Sequence, residues 1–493
     1  MQARGVTAGK TNLMQKALML FIVILPYMIF IIMSLGVFLK PIEDGDELWN
    51  YNFARNIHDG RLPYLDFNMV QTPLAAYISG FFLKIFGNTL QGFRFVSAIF
   101  LATTFSILYH LCKKITNNSI MAWVSASYAF ALNFIVWVYN YNNLNLLLLL
   151  IILCLEYRII SSGSTNSYKY DLLVGLLVGM MPLIKQSTGI VFILTNTILC
   201  FVSVAKDRSL LRAKVHRWLV SFVPIIAFTI FMVINGSIYE FIDYAILGIG
   251  EFTHRTSYFE FILSSPVAFL LGIFPVITIA LYINNKIAKR ASSQVYLTFF
   301  AFSIAGLSVA FPLCDYVHFI VAIVPFIPCL LLLYNPRPVK LFEKAICCTL
   351  PAIVLVGLVI SVYPSADSYK LCSVNKLEGL PIDIDLENNI KTLVDYIKAM
   401  EEDGYSVVVA DEYGIIYMIP LERCNKDFDM LLVGNIGKKT VQDLLEQNKS
   451  DIILVRGNNS TLGYQAHYEF IDEVKSKYRK IGEVSSFYAY YKR

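Results

Sequence analysis

The chain reads as an α-helical polytopic membrane protein with about eleven transmembrane helices and a C-terminal extracytoplasmic α/β domain, and three observations predict it. Apolar runs of roughly 18 or more residues, long enough to cross about 30 Å of hydrocarbon as helix, recur from Leu18 to Val362. Lys and Arg collect in alternate short loops. Beyond Pro364 the composition turns abruptly polar, the last 130 residues holding 16 of the 41 basic and 21 of the 36 acidic side chains. Over all 493 residues, 56% are hydrophobic, 16% are charged and the mean hydropathy is +0.58, which excludes an ordinary soluble globular protein.

The predicted crossings are 17–39, 93–112, 119–138, 143–160, 171–184, 187–205, 217–235, 262–284, 295–312, 316–334 and 343–363. The segment 171–184 is the shortest and runs into Pro182 and Lys185. With the N-terminus cytoplasmic, eighteen Lys and Arg fall inside and six fall in outer loops, the bias expected for this orientation. Of the fifteen acids before residue 364, only Glu156, Asp171, Asp207 and Glu343 fall inside, so the polar work is expected outside. The net charge of +5 then reflects cytoplasmic anchoring and not nucleic-acid binding. The first apolar segment follows a basic stretch but ends in GVFLKPIEDG without a small-residue cleavage site, and reads as an uncleaved anchor.

The first outer loop, 40–92, carries six carboxylates: Glu43, Asp44, Asp46, Glu47, Asp59 and Asp66. Asp46, Glu47, Trp49, Tyr51, Phe53 and Ile57 have the mixed polar and aromatic composition of a helix lying in a bilayer interface, and the loop reads as a membrane-surface active-site loop. Arg94 opens the second crossing, where a cation is more often a structural ion pair or headgroup anchor than a catalytic residue. Residues 139–145, YNYNNLN, are either a hairpin cap or a polar rim for a hydroxylated ligand.

Lys185, beside Pro182 and followed by Gln186, Ser187 and Thr188, predicts a helix that stops inside the outer vestibule. An ionisable residue at membrane depth is costly, and its simplest work is to neutralise an anion such as phosphate; a snorkelling lysine is the plainer alternative. The outer loop 236–261 alternates aromatics with Glu240, Asp243, Glu251, His254, Arg255 and Glu260. A lone His254 makes no metal motif. Asp315 and His318, three apart, predict a structural pair on one helix face.

In the tail, predicted helices 386–403, 438–447 and 464–477 alternate with the strand-like runs YSVVVA, DMLLVG, DIILVR and SFYAYY. The tail holds no phosphate loop, CxxC or nucleophile elbow, and is expected to bind or shield. Seven of the nine cysteines lie in or beside apolar spans, while Cys372 and Cys424 are a plausible disulfide pair in an outward-facing tail. The expected domains are therefore 1–363 and 364–493.

Asp46 and Glu47 after a membrane anchor, Gly60, Pro63-Tyr64-Leu65-Asp66, Gln71-Thr72-Pro73-Leu74, Phe86-Gly87 and Arg94 together resemble the GT-C glycosyltransferases. The closest branch comprises the bacterial relatives of protein O-mannosyltransferases and lipid A aminoarabinose transferases. Gln71 stands where relatives often carry His or Lys, and Thr72 replaces a proline. Lys185 at the end of a glycine-rich helix is similar to the family's Lys-bearing segment.

The resemblance implies a GT-C fold, a polyprenyl-phosphate sugar donor, an acceptor reached from the outer leaflet of a plasma membrane, and inversion at the anomeric carbon. The acceptor is a cell-envelope polymer, lipid or protein. The expected roles are Asp46 as general base, Glu47 as a helper that positions the acceptor or a metal, and Lys185 with Arg94 or Arg55 as phosphate partners; Asp66, a second carboxylate candidate, Gln71 and His318 complete the substrate-binding candidates. A divalent metal ion stays open, because no ligand set is legible. The rival readings are a lipid-linked sugar flippase, which would show inverted repeats and broken helices near the midplane, and a non-catalytic sugar-lipid-binding subunit.

Overall fold

The computed structural model describes residues 24–42, 45–162, 168–248, 257–287, 294–333, 368–411, 414–431, 436–456 and 466–492. Glu43, Asp44, His254, Arg255, the segment 343–363 and the expected domain boundary at 363/364 lie outside the described residues.

Apolar runs bounded by capping side chains set the helices of the first part. Helix α1 (Ile24–Leu39) ends in a 3-10 turn, Leu35–Leu39, and leads to α2 (Gly45–His58) and the apolar α3 (Leu74–Phe86). The long α4 (Leu90–Thr116) starts where the Thr89 side chain accepts a hydrogen bond from the Gly92 N–H, and stops at Asn117, whose φ of 50° is left-handed. Asn118 then caps α5 (Ser119–Asn133), accepting from the Ile120 and Met121 N–H groups, so two adjacent asparagines turn the α4–α5 hairpin. There follow α6 (Tyr141–Ser162), α7 (Tyr168–Met180), α8 (Gln186–Lys206), α9 (Leu211–Val220) and α10 (Val223–Ile234). The short α11 (Ile238–Phe241) runs into a π-helical turn, Ile242–Leu247. The first part ends with α12 (Tyr258–Ser264), α13 (Pro266–Ile287), α14 (Gln294–Gly306), α15 (Tyr316–Ile323) and α16 (Phe326–Leu333).

Among the described residues, six stretches are long and apolar enough to cross a membrane: Leu90–Thr116, Tyr141–Ser161, Gln186–Lys206, Arg208–Ile234, Pro266–Asn284 and Tyr316–Leu333. The predicted crossing 119–138 instead breaks after Asn133 into a 3-10 turn, Phe134–Val136. The predicted 171–184 likewise gives way after Met180 to a 3-10 turn, Met181–Leu183, which carries Pro182. Helix packing in this region depends on small residues. A Cβ on Gly175 would sit 2.3 Å from the Arg217 carbonyl oxygen and one on Gly179 would sit 2.2 Å from that of Ser221, so this pair lets α7 touch α9 and α10 backbone to backbone.

The polar tail folds as expected into an α/β unit. Helices α17 (Ile384–Glu402), α18 (Ile415–Met418), α19 (Val441–Gln447) and α20 (Ala466–Lys477) accompany a two-stranded and a four-stranded sheet. The small sheet pairs β1 (Tyr369–Leu371) antiparallel with β2 (Pro381–Asp383). The larger has the order β3-β4-β6-β5, where β3 (Val407–Ala410) runs parallel to β4 (Ile452–Arg456). The remaining strands, β5 (Tyr478–Val484) and β6 (Phe487–Lys492), pair antiparallel. Three of the four predicted strand runs contain strands, whereas in DMLLVG the described residues 429–431 form a turn. Cys372 and Cys424 are both free thiols, which corrects the expected pairing.

The tail unit is seated on the first loop. The Ile42 N–H donates to the Pro381 carbonyl (2.9 Å), the Leu90 N–H to that of Lys376 (2.8 Å), and Arg55 Nη2 to that of Arg423 (2.6 Å). It also grips the second outer segment, where the Tyr244 hydroxyl meets Asp427 and Lys439 Nζ lies 2.8 Å from that hydroxyl. Helix α2 is therefore not an amphipathic helix on a lipid surface. Nine of its fourteen residues are buried, from Glu47 to Asn56, because protein covers the face expected to meet the bilayer.

At this seam Asp429 is almost wholly buried, and burial pushes its carboxyl up to about 7 against the opposing pull of the Asn425 N–H and of Arg55. A carboxyl raised in the fold contributes stability that is complete below its unfolded pKa of about 4 and is lost as pH rises through 7. The detergent-solubilised protein should therefore unfold at progressively lower temperature between about pH 4 and 7. Asp429→Asn should flatten that slope; an unchanged slope would remove Asp429 as its source.

Candidate active site at one end of the helices

Asp46 and Glu47 occupy the first turn of α2, where the helix dipole favours carboxylates. Adjacent helical residues point about 100° apart, and the structure uses this to separate them. Glu47 turns inward and pairs with Arg94, Nε to Oε1 at 2.7 Å and Nη2 to Oε2 at 2.9 Å, both side chains wholly buried. Arg94 also donates through Nη1 to the carbonyls of Val37 (3.0 Å) and Lys40 (2.6 Å), and through Nη2 to that of Pro41 (3.3 Å). Its five N–H groups are thus all engaged, and its guanidinium lies 4.9 Å from the Trp137 ring centroid. With these contacts every Arg94 N–H and both Glu47 oxygens are engaged within the protein, the arrangement of a structural ion pair.

Asp46 is half-buried and faces the other way. It lies within electrostatic reach of the Tyr141 hydroxyl, as does Asp315. Tyr141 opens α6, at the YNYNNLN turn, where the Asn140 side chain accepts from the N–H groups of Asn142 and Asn143. Lys185 joins the group at the N-cap of α8, 5.1 Å from the Tyr141 ring centroid. Its Nζ donates to the Val309 carbonyl (2.7 Å) and to Asn142 Oδ1 (3.2 Å), which leaves the third ammonium N–H for a ligand. The break in the helix that presents Lys185 depends on Gly189, where a Cβ would lie 2.1 Å from the Pro182 nitrogen.

Asp315 caps α15, accepting from the His318 N–H at 2.9 Å and meeting His318 Nδ1 at 2.7 Å, the predicted pair. Five chemically capable side chains from four distant stretches, Asp46, Tyr141, Lys185, Asp315 and His318, so gather at one end of the helices. One turn deeper in α6, Asn145 is buried with both amide atoms unpartnered among the described residues.

The other candidates stand apart. Asp66 is exposed and closes its own turn, its Oδ2 accepting from the Leu62 N–H at 2.6 Å. Gln71 is half-buried, and its carbonyl accepts from the Tyr64 hydroxyl at 2.7 Å. Arg55 is buried beneath the tail unit, its Nη2 donating to Asn52 Oδ1 at 2.7 Å and to the Arg423 carbonyl, while its Nε and Nη1 have no partner among the described residues. Among the described residues no three His, Cys, Asp or Glu side chains gather as a metal cluster, and no step is derived through a metal.

Residues 70–234 match the sequence profile of the family described as dolichyl-phosphate-mannose-protein mannosyltransferase, a stretch that contains Gln71, Arg94 and Lys185 and begins after Asp46. The fold is similar to that of ArnT from Cupriavidus metallidurans bound to undecaprenyl phosphate, with a TM-score of 0.60 at 10% identity over 95% of this chain and 97% of that one. It is also similar to the archaeal oligosaccharyltransferase AglB from Archaeoglobus fulgidus, in complex with an inhibitory peptide and a dolichol-phosphate; the TM-score is 0.52 at 11% identity over 88% of this chain and 69% of that one. No curated protein sequence matches the chain. The likeness in fold agrees with the GT-C resemblance carried by the first-loop motifs.

Two outcomes test this geometry. Arg94→Met should destabilise the protein by about 3–5 kcal/mol, because it leaves Glu47 charged and buried, and adding Glu47→Gln should recover much of the loss. Strictly additive losses in thermal unfolding would show that the two do not act as a pair. Gly189→Ala should cost about 1–3 kcal/mol, read the same way, because its Cβ meets Pro182.

Proposed function

We propose that the protein is a membrane glycosyltransferase that moves a sugar from a polyprenyl-phosphate donor to an acceptor hydroxyl on the outer face of a plasma membrane, with inversion. The observation that carries this reading is the convergence of Asp46 and Lys185 around Tyr141, an acid and a cation on one small polar site at the outer ends of α2, α6 and α8. The family profile and the similar structures, which hold undecaprenyl phosphate and dolichol-phosphate, support the donor class.

In this reading the acceptor oxygen attacks the anomeric carbon while the bond to the phosphate oxygen on the opposite face breaks. Asp46 takes the hydroxyl proton as general base. The polyprenyl phosphate leaves already ionised, so it needs a cation and no acid, and Lys185 supplies one with its remaining N–H. Asn142 and the Val309 carbonyl hold the ammonium in place. Asp315 stands within electrostatic reach of the Lys185 ammonium, and His318 holds Asp315. The Glu47 and Arg94 pair fixes the start of α2 and so the position of Asp46. The tail unit, seated on both outer segments, would border the acceptor's path from the extracytoplasmic side.

The test is transfer of labelled sugar from polyprenyl-phosphate donors to extracted envelope acceptors by purified protein in lipid. Asp46→Asn should lower turnover by about 10²–10⁴-fold with donor binding unchanged, whereas Lys185→Ala should weaken donor binding and turnover together. Full turnover with Asp46→Asn would overturn the assignment of the base. Movement of labelled lipid between leaflets without donor consumption would overturn the transferase itself.

A further inference from the structure

A second polar site lies at the far end of the helices. Helix α8 runs 21 residues from Lys185, about 30 Å, to Asp207, where a cavity of about 540 Å³ opens among α6, α7, α8, α9 and α14. Its charged lining is Glu156, Asp171, Asp207, Lys214 and Arg217. Lys214 Nζ meets Asp171 Oδ1 at 2.6 Å, Arg217 Nε donates to Asn196 Oδ1 at 2.6 Å, and Arg217 Nη1 approaches Glu156 Oε1 at 2.5 Å. Arg217 is held here through its backbone, which packs on Gly175.

One buried polar atom is left over in this cavity. Arg217 Nη2 has no hydrogen-bond partner among the described residues, on a side chain only 2% exposed, while Glu156 Oε1 is held by Arg217 Nη1 alone. An orphan guanidinium donor at such depth is costly, and its planar fork matches a phosphate. The sign of the site decides what carries that phosphate. The buried charges balance, Glu156 and Asp171 against Lys214 and Arg217, and Asp207 adds an exposed carboxylate at the rim, so a bare phosphate would face that carboxylate, while a simple cation would be repelled by Arg217 and leave its donor unpaired. A ligand with both signs satisfies the inner donor and the rim carboxylate together.

We propose that this cavity binds the zwitterionic head group of a phospholipid, a phosphate ester bearing a primary ammonium of the phosphatidylethanolamine type, in the leaflet opposite the Asp46 site. The phosphate accepts from Arg217 Nη2, and the ammonium donates to Glu156 and to Asp207 at the Lys206–Ser209 turn. The volume fits a small head group. Beside it, α9 exposes Leu211, Val215, Trp218 and Leu219, which gives the acyl chains an apolar surface to follow.

Delipidated full-length protein is titrated with phosphatidylethanolamine, phosphatidylcholine, diacylglycerol and soluble O-phosphoethanolamine, with binding read by thermal shift and by native mass spectrometry. Phosphatidylethanolamine should bind about tenfold or more tightly than phosphatidylcholine, which lacks ammonium N–H, and than diacylglycerol, which lacks phosphate. Arg217→Lys should abolish that preference. Should this variant fail to fold, Ala213→Phe carries the test, because it fills the cavity from its half-exposed wall and leaves the ion pairs intact. Equal binding of the three lipids, or a preference that survives Ala213→Phe, overturns the proposal. O-phosphoethanolamine binding as tightly as the lipid overturns the lipid as the source of the head group.

Discussion

The wholly buried pair of Glu47 and Arg94 is the constraint on which the Asp46 end of the helices depends. An unpaired ion at this depth would be strongly destabilising, so Glu47 must meet Arg94 and α2 must start where α4 permits. Arg94 further gathers the carbonyls of Val37, Lys40 and Pro41, which fixes the turn between α1 and α2. The chain direction at Gly45 follows, and with it the side from which Asp46 faces Tyr141. The placement of a chemically capable acid thus derives from a neighbouring acid that is wholly engaged in structure.

The same economy of position recurs at Lys185. Its ammonium is held by a side-chain amide from α6 and a carbonyl from the turn after α14, elements more than a hundred residues apart at their widest. Its backbone is set by a helix interrupted at Pro182 and packed on Gly189 without room for a methyl group. Lys185 and Asp46 belong to stretches that share no local pattern, yet both converge on one tyrosine ring system. The α/β unit adds a third layer by covering α2 and gripping Tyr244, so the first loop is a buried structural element whose Asp46 edge stays half-exposed.

Charge is distributed along α8 by a different logic at each end. At the Lys185 end a single cation is left with one spare donor among carboxylates. At the Lys206 end, buried acids and bases balance in a cavity that still leaves Arg217 Nη2 unpartnered among the described residues. Buried ion clusters of this kind are expensive unless fully satisfied, which is why the incomplete one draws attention to a ligand and the complete pair at Glu47 does not.

The sequence by itself determined the membrane class, the helical runs, the polar α/β tail and the residues from which a site could be built. Each of these rests on local composition: apolar length for helices, alternation for YSVVVA and DIILVR, and costly ions such as Lys185 that stand out against apolar neighbours. The Asp315 and His318 pair was legible for the same reason, since three residues on a helix are neighbours. What only the tertiary structure decided is which partner each ion meets. Glu47 and Arg94 are 47 residues apart, Arg55 donates to the carbonyl of a residue 368 positions away, and Glu156, Asp171 and Arg217 meet across three helices. Spacing in the chain carries no record of such contacts, because they are set by how helices pack. The division of Asp46 from Glu47, adjacent in sequence and opposite in role, was therefore settled by helix geometry and by the buried cation that only one of them could reach.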